Sequence, residues 1–309
     1  MNEKSLSLFT MLPPFWDSPI YDKPKMYLDR IKEEFNIDIQ TYSYKKSAFD
    51  HDVFIINKEV VFRFPRTEIV RDHLKHEIEF LKFLKNKVDI EIPNYQYISK
   101  NKDFAGYPII DGQILSPSAF KNLNKKNKEK VINSLIGFVN TFHKINEESF
   151  VKFNPRKRSD FIDAEKKIEQ ELKKTLFPKL TKEEVEAIKG FYKKSKKYLQ
   201  NLPRICPIHG DLYAYNVIWN KENSKTSIID FTDYMIGDPA KDFEVFFDYG
   251  IDSVQMAYEK YEGAKDKDFL SRAEIYYKVH SIYTLLSSLS GALISFDYAR
   301  DRFRQRFQL

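Results

Sequence analysis

The most informative spacing in this sequence joins a carboxylate, an amide and a second carboxylate. In Ile208-His209-Gly210-Asp211-Leu212-Tyr213-Ala214-Tyr215-Asn216, Asp211 and Asn216 stand five residues apart in a turn-prone loop between apolar strand-like runs. Asp230 follows fourteen residues after Asn216, at the end of Ser227-Ile228-Ile229, where its side chain can leave the core and meet that loop. Mg2+ is a hard ion that takes few protein oxygens and keeps phosphate and water oxygens. Asn216 and Asp230 suit it, which leaves Asp211 for a nucleophile. Phosphoryl transfer asks the protein to hold a triphosphate, neutralise it and aim an acceptor oxygen. As general base, Asp211 would hydrogen-bond the acceptor hydroxyl and take its proton late. His209 is expected to orient the loop through hydrogen bonds. For any one of these residues a capped turn is the bland explanation, whereas the ordered set has a clear use only where phosphate is moved.

A second pair lies upstream. Arg63 is on the edge-facing alternation of Val60-Val61-Phe62-Arg63-Phe64, and Glu77 follows fourteen residues later on a helical pattern. A cation there could hold α and β phosphates while Glu77 fixes its position; the alternative is an ordinary surface ion pair.

The elements that must position these groups divide in two. Apolar periodicity predicts a helix over 24–35, and short β-branched and aromatic runs predict strands over 37–44, 52–57 and 59–64, with Asn57-Lys58 as a hairpin turn. A helix over 68–87 and strands over 94–99 and 107–110 complete a small antiparallel sheet with a helix. Beyond Asp111-Gly112 the pattern is mainly helical (126–146, 159–175, 182–201, 239–248, 267–293), broken by strand signals at 204–208, 217–219 and 226–231. No low-complexity linker separates the parts, so the expectation is an α+β, bilobal arrangement: a nucleotide-binding lobe over 1–110 and a helical lobe over 111–309 that share a cleft.

Length and composition agree with a folded globular chain: 309 residues, 42% of them apolar. No stretch reaches the roughly 20 apolar residues of a membrane span, and the apolar run in the first sixteen residues is short and interrupted, so a cytoplasmic protein without membrane contact is expected. The lone Cys206 sits in an apolar run and reads as a small buried hydrophobe. The net charge of +6 comes mostly from scattered lysines and reads as a solvated face, with no nucleic-acid signature beside it.

These motifs resemble the aminoglycoside phosphotransferase family, a branch of the protein-kinase-like fold. The resemblance rests on VVFRFPR at 60–66, the Glu77 helix, FAGYPIIDG at 104–112, CPIHGDLYAYN at 206–216 and IIDFTDYMIGDPAKDF at 228–243. It implies Asp211 as the catalytic aspartate, Asn216 and Asp230 as Mg2+ ligands, and ATP or GTP as donor. It also implies a hinge over Tyr107, Ile109 and Ile110 whose backbone reads the purine. The loop from Ser47 to Asp52 would cover the phosphates without a glycine, and His209, Asp238 and Asp242 would brace the catalytic loop. The kinases of the aminoglycoside 2''-hydroxyl are the most similar branch. Two positions depart from it, Arg63 for lysine and Thr232 for glycine, and both resemble macrolide phosphotransferases; Asn216 is the aminoglycoside-type ligand.

Aminoglycosides are polycations and need a locally acidic cleft. Residues 230–252 hold seven carboxylates against the single Lys241, and Asp233 and Asp248 are the ones expected to meet substrate ammonium groups. A macrolide or another hydroxylated metabolite is the alternative acceptor. A non-catalytic kinase-like module is the alternative of another class, and it would bind nucleotide without turnover.

Overall fold

The computed structural model describes residues 23–45, 51–156, 168, 170–199, 202–289 and 294–309. Ser47 and most of the helix expected over 159–175 lie outside them.

Helix α1 (Lys23–Phe35) precedes strands β1 (Tyr42–Lys45), β2 (His51–Ile56) and β3 (Val60–Pro65); then come helix α2 (Glu68–Leu84) and strands β4 (Tyr97–Ile98) and β5 (Ala105–Pro108). The sheet is antiparallel with order β1-β2-β3-β5-β4. Asn57 and Lys58 take φ of 51° and 61°, as in a type I′ turn closed by Glu59 N–H to Ile56 O at 2.9 Å, but Ile56 pairs with Val60, so Glu59 is an extra residue in the loop and shifts the β2–β3 register by one. In that register Val53 faces Arg63, so His51, Val53 and Arg63 share one side of the sheet. The other side carries Phe54, Phe62 and Phe64, buried against Ile31 and Tyr27 of α1; Tyr27 stacks on Phe64 at 4.1 Å and Phe64 on Phe104 at 4.4 Å. Burying each such ring is worth roughly 1.5–3 kcal/mol, so this aromatic layer is what holds a thin sheet together. β3 is the middle strand, and Arg63 is buried in it rather than edge-facing.

Thr67 caps α2, its hydroxyl accepting from Val70 N–H at 3.3 Å. The helix serves both parts: Leu74 and Ile78 pack near Ala105, while Phe80, Leu81 and Leu84 join the large core formed with the helix over Lys125–Phe142 and the strands beyond. Phe80 stacks on Tyr234 at 4.4 Å, which docks α2 on the segment after Asp230.

Strand β6 (Gln113–Ile114) and helices α3 (Pro117–Lys121), α4 (Lys125–Phe142), α5 (Glu147–Phe150) and α6 (Lys182–Leu199) follow. Then come β7 (Cys206–Ile208), β8 (Val217–Asn220), β9 (Lys225–Ile228) and β10 (Met235–Gly237), and helices α7 (Glu244–Asp248), α8 (Ile251–Lys260), α9 (Phe269–Ser288) and α10 (Phe296–Phe307). β6, β8 and β9 form one small sheet and β7 pairs with β10. Of the predicted long helices, 126–146 appears as α4 and ends at Phe142, 182–201 and 267–293 appear as α6 and α9, and 239–243 is a 3-10 turn rather than part of one helix. Cys206 is buried, and burial pushes its thiol up to about 12, so it packs as a hydrophobe. Among the described residues no helix is long and apolar enough to cross a membrane.

Candidate active site

The loop after β7 is shaped from both sides. A 3-10 turn over Ala214–Asn216 hands the chain to β8, and β10 runs antiparallel to β7, so the segment after Asp230 returns alongside the loop. Gly210 has φ 83°, and a Cβ there would stand 2.2 Å from the carbonyl oxygen of Asp233. Only a residue without a side chain lets these backbones approach so closely. Asp242 holds the loop from below: its Oδ2 accepts from His209 N–H at 2.8 Å and its Oδ1 from Gly210 N–H at 2.9 Å. His143 Nε2 lies 3.1 Å from the same Oδ2, and its Nδ1 lies 2.9 Å from the Tyr261 hydroxyl.

Within the loop, Asp211 N–H donates to His209 Nδ1 at 3.3 Å. Asn216 Nδ2 donates to the backbone oxygen of Asp211 at 2.9 Å and to its carboxylate Oδ2 at 3.0 Å. His209 is wholly buried, 4.5 Å from the Phe231 ring, and burial lowers its pKa, so the imidazole is neutral with Nδ1 as acceptor. Burial, followed by the charge of Asp233, pushes the Asp211 carboxyl up to about 7.

Arg63 ties the sheet to the segment after β9. Its Nη1 donates to Glu77 Oε1 at 2.7 Å and to the Tyr95 hydroxyl at 3.1 Å. Its Nη2 donates to Thr232 Oγ1 at 2.7 Å and to Asp230 Oδ1 at 3.2 Å, with His51 Nδ1 at 3.1 Å. A guanidinium has no acceptor, so His51 Nδ1 must accept and the ring is neutral; burial also drives its pKa well below the usual value. Asp230 has φ 62°, a left-handed backbone that costs a non-glycine residue of order 1–3 kcal/mol, and its side chain is 46% exposed. Burial works against its charge, but Arg63 and the Thr232 hydroxyl more than offset this and hold its pKa below the usual carboxylate range.

These oxygens fit a magnesium ion. Asn216 spends its amide nitrogen on Asp211 and keeps Oδ1, while Asp230 gives Oδ1 to Arg63 and Thr232 and keeps Oδ2. Two protein oxygens would leave the rest of such an ion's shell to phosphate and water.

The profile of the phosphotransferase enzyme family (APH) matches residues 46–277, well over half of the chain. The chain belongs to that family. Its bilobal α+β architecture is the family's kinase-like fold. The chain is similar to the GDP complex of wild-type aminoglycoside 2'-phosphotransferase-IIIa, with a TM-score of 0.76 at 21% identity over 92% of this chain and 98% of that one. The GDP and kanamycin complex of APH(2")-IIia gives 0.75 at 22% identity over 92% and 96%. Macrolide 2'-phosphotransferase type I gives 0.65 at 15% identity over 94% and 98%.

Against this family frame, Asp211 pairs with Asn216, Arg63 joins Glu77 to Asp230, and Ile229 N–H donates to Asn216 O at 2.9 Å between the two groups, while Tyr107 packs edge-on at 5.2 Å against the Tyr95 ring that shares Arg63 and Glu77. Ile110 is buried, and Ile109 is exposed but donates its N–H to Glu59 O at 2.6 Å. Three expectations need correcting. Asp52 is buried on the α1 side of the sheet with the Tyr44 hydroxyl, because alternation along β2 puts His51, not Asp52, on the Arg63 side. Asp238 makes no hydrogen bond to the catalytic loop: Arg272 Nε holds it at 2.7 Å and it caps Ala240 N–H at 3.1 Å, leaving the loop to Asp242. Asp248 is not open to a substrate ammonium, since its side chain is 1% exposed and paired with Arg306 at 2.8 Å and Arg302 at 3.3 Å. Asp233 is partly exposed and paired with Arg156 Nε at 2.9 Å. Sequence reasoning missed His51, Tyr95 and the C-terminal arginines. His51 shares the Arg63 side because Glu59 adds a residue to the β2–β3 loop, which a two-residue hairpin reading does not foresee; the others meet the site through contacts distant in sequence.

Proposed function

We propose that this chain is a small-molecule kinase that transfers the γ-phosphate of ATP or GTP to an acceptor hydroxyl. The observation that carries the reading is one guanidinium spanning Glu77 at 2.7 Å and Asp230 at 3.2 Å, which links the sheet's ion pair to a metal-ligating carboxylate as kinase chemistry requires. In this reading Asn216 and Asp230 hold magnesium, which supplies neutralisation of phosphate charge. Asp211, oriented by Asn216, hydrogen-bonds the acceptor hydroxyl and takes its proton. The hinge at 107–110 reads the purine through the Ile109 carbonyl and the backbone beyond it, and divides a nucleotide lobe from the helical lobe. His209 stays neutral and keeps the loop in shape.

The test is phosphate transfer from ATP and from GTP, with magnesium, to aminoglycosides, macrolides and other hydroxylated metabolites, with Asp211→Ala as control. Turnover that collapses in the variant supports the reading. Tight nucleotide binding with transfer to nothing would replace it with a non-catalytic nucleotide-binding module.

A further inference from the structure

We propose that the side chain of His51 binds the phosphate chain of the nucleotide, its Nε2–H donating to a non-bridging phosphate oxygen beside Asp230; this rests on the phosphotransferase reading and adds a residue to its donor site. His51 opens β2 on the side of the sheet that carries Val53 and Arg63. Its Nδ1 lies 3.1 Å from Arg63 Nη2, the same nitrogen that donates to Asp230 Oδ1 at 3.2 Å and to Thr232 Oγ1 at 2.7 Å. A guanidinium accepts nothing, so Nδ1 is the acceptor and the ring's proton stands on Nε2. Among the described residues that N–H has no hydrogen-bond partner, although His51 is only 4% exposed. A buried donor without an acceptor is costly to leave so, and a ligand that brings an oxygen to it recovers that cost.

Two observations say which ligand. The Asp230 side chain is 46% exposed while the Arg63 beside it is buried, so the network around His51 meets solvent at the carboxylate expected to hold magnesium. Phosphate oxygens must come to such an ion to complete its shell. The chain also has no glycine before Gly106. Backbone N–H groups cradle phosphate where glycines let the main chain come close. Strands β1 to β3 and their connections have none, so a side-chain donor takes that part, and Arg63 fixes which nitrogen of His51 donates. The other buried atom of this network without a partner, Glu77 Oε2, is an acceptor on the Nη1 arm and offers a phosphate nothing.

Two substitutions separate the donor from the acceptor of this ring. His51→Asn keeps an oxygen near the place of Nδ1 and has nothing at Nε2. His51→Gln reaches the place of Nε2 with an amide N–H and gives up the Nδ1 acceptor. Calorimetry on the full chain with magnesium compares ADP with adenosine and GDP with guanosine; the ratio of nucleoside Kd to nucleotide Kd reads what the phosphates add. In His51→Asn that ratio should fall by roughly tenfold or more, as for a lost hydrogen bond to a charged group, with the nucleoside Kd unchanged. In His51→Gln it should stay within about threefold of wild type. A ratio retained in His51→Asn overturns the proposal, and a ratio lost only in His51→Gln shows that the ring serves Arg63 alone. Where both variants lose it, or neither folds, the imidazole nitrogens of the 15N-labelled wild type decide, assigned by through-bond correlation to the His51 backbone. The Nε2 signal should move with the nucleotide and not with its nucleoside, and an unmoved signal overturns the proposal while nucleotide binding stands. A wild type that binds neither nucleotide overturns the phosphotransferase reading together with it.

Discussion

Thr232 Oγ1 accepts a hydrogen bond from Arg63 Nη2 at 2.7 Å and donates its own to Asp230 Oδ1, also at 2.7 Å. The two positions that depart from the aminoglycoside 2''-kinase pattern are therefore one contact. A guanidinium reaches further than an ammonium and brings several donors in a rigid fork. Thr232 receives the extra donor and returns a hydrogen bond to the carboxylate expected to ligate magnesium. Arg63→Lys, Thr232→Gly and the double variant should not be additive: residues sharing one hydrogen-bond network couple by about 0.5–3 kcal/mol. Nucleotide affinity titrated at several magnesium concentrations checks this, and a strictly additive double variant would show that the contact is incidental.

Asp211→Asn keeps the size of the side chain and leaves an amide in reach of Asn216. Losing a positioned general base costs typically 10²–10⁴-fold in rate. Transfer should fall by that amount while the melting temperature and nucleotide Kd stay near wild type. A variant with normal turnover would remove Asp211 from the chemistry.

Gly210→Ala places a methyl group 2.2 Å from the Asp233 carbonyl oxygen at a backbone φ of 83°. Strain of order 1–3 kcal/mol is expected from the conformation alone. The loop and the segment after Asp230 must then separate. Denaturant unfolding should show the lost stability, and the activity loss should exceed what the unfolded fraction explains.

Glu184 forms a capping box with Thr181: Thr181 N–H donates to Glu184 Oε2 at 2.8 Å and Glu184 N–H to Thr181 Oγ1 at 3.3 Å. Burial opposes its charge, but Arg300, Thr181 N–H and Arg304 offset this and pull its pKa to about 2, below the 4.5 of a free glutamate. A depressed pKa adds stability that is full above the unfolded value and lost as pH falls through the folded one. Wild type should therefore be more stable than Glu184→Gln at pH 7, with the gap closing between about pH 4.5 and about pH 2 in urea titrations. A gap that does not change with pH would show that the ion pairs with α10 contribute nothing.

Much of this arrangement was legible beforehand. Asn57-Lys58 marked a hairpin, but the extra loop residue Glu59, seen only in the structure, is what places Arg63 and His51 on one side. Short β-branched and aromatic runs announced β2 and β3, and the 3.6-residue period announced α2. The spacing Asp211, Asn216, Asp230 pointed to phosphate because those residue types suit magnesium and a hydroxyl proton. Local chemistry of this kind depends on neighbours a few residues apart, and a single chain records it directly.

Charge balance was another matter. Seven carboxylates within residues 230–252 read as an acidic cleft, yet Arg156, Arg272, Arg302 and Arg306 come from segments far along the chain and spend four of the six acids over residues 233–252, Asp233, Asp238, Glu244 and Asp248. Which ion finds which partner depends on how α9 and α10 pack against α7, and no periodicity encodes that. The same holds for Arg63 and Thr232, 169 residues apart and a single hydrogen bond in space. Sequence by itself determined the elements and the candidate site residues, because these follow from local backbone preference and residue type. Tertiary structure alone decided which charges remain available to a ligand, because electrostatic pairing is settled by distance in three dimensions.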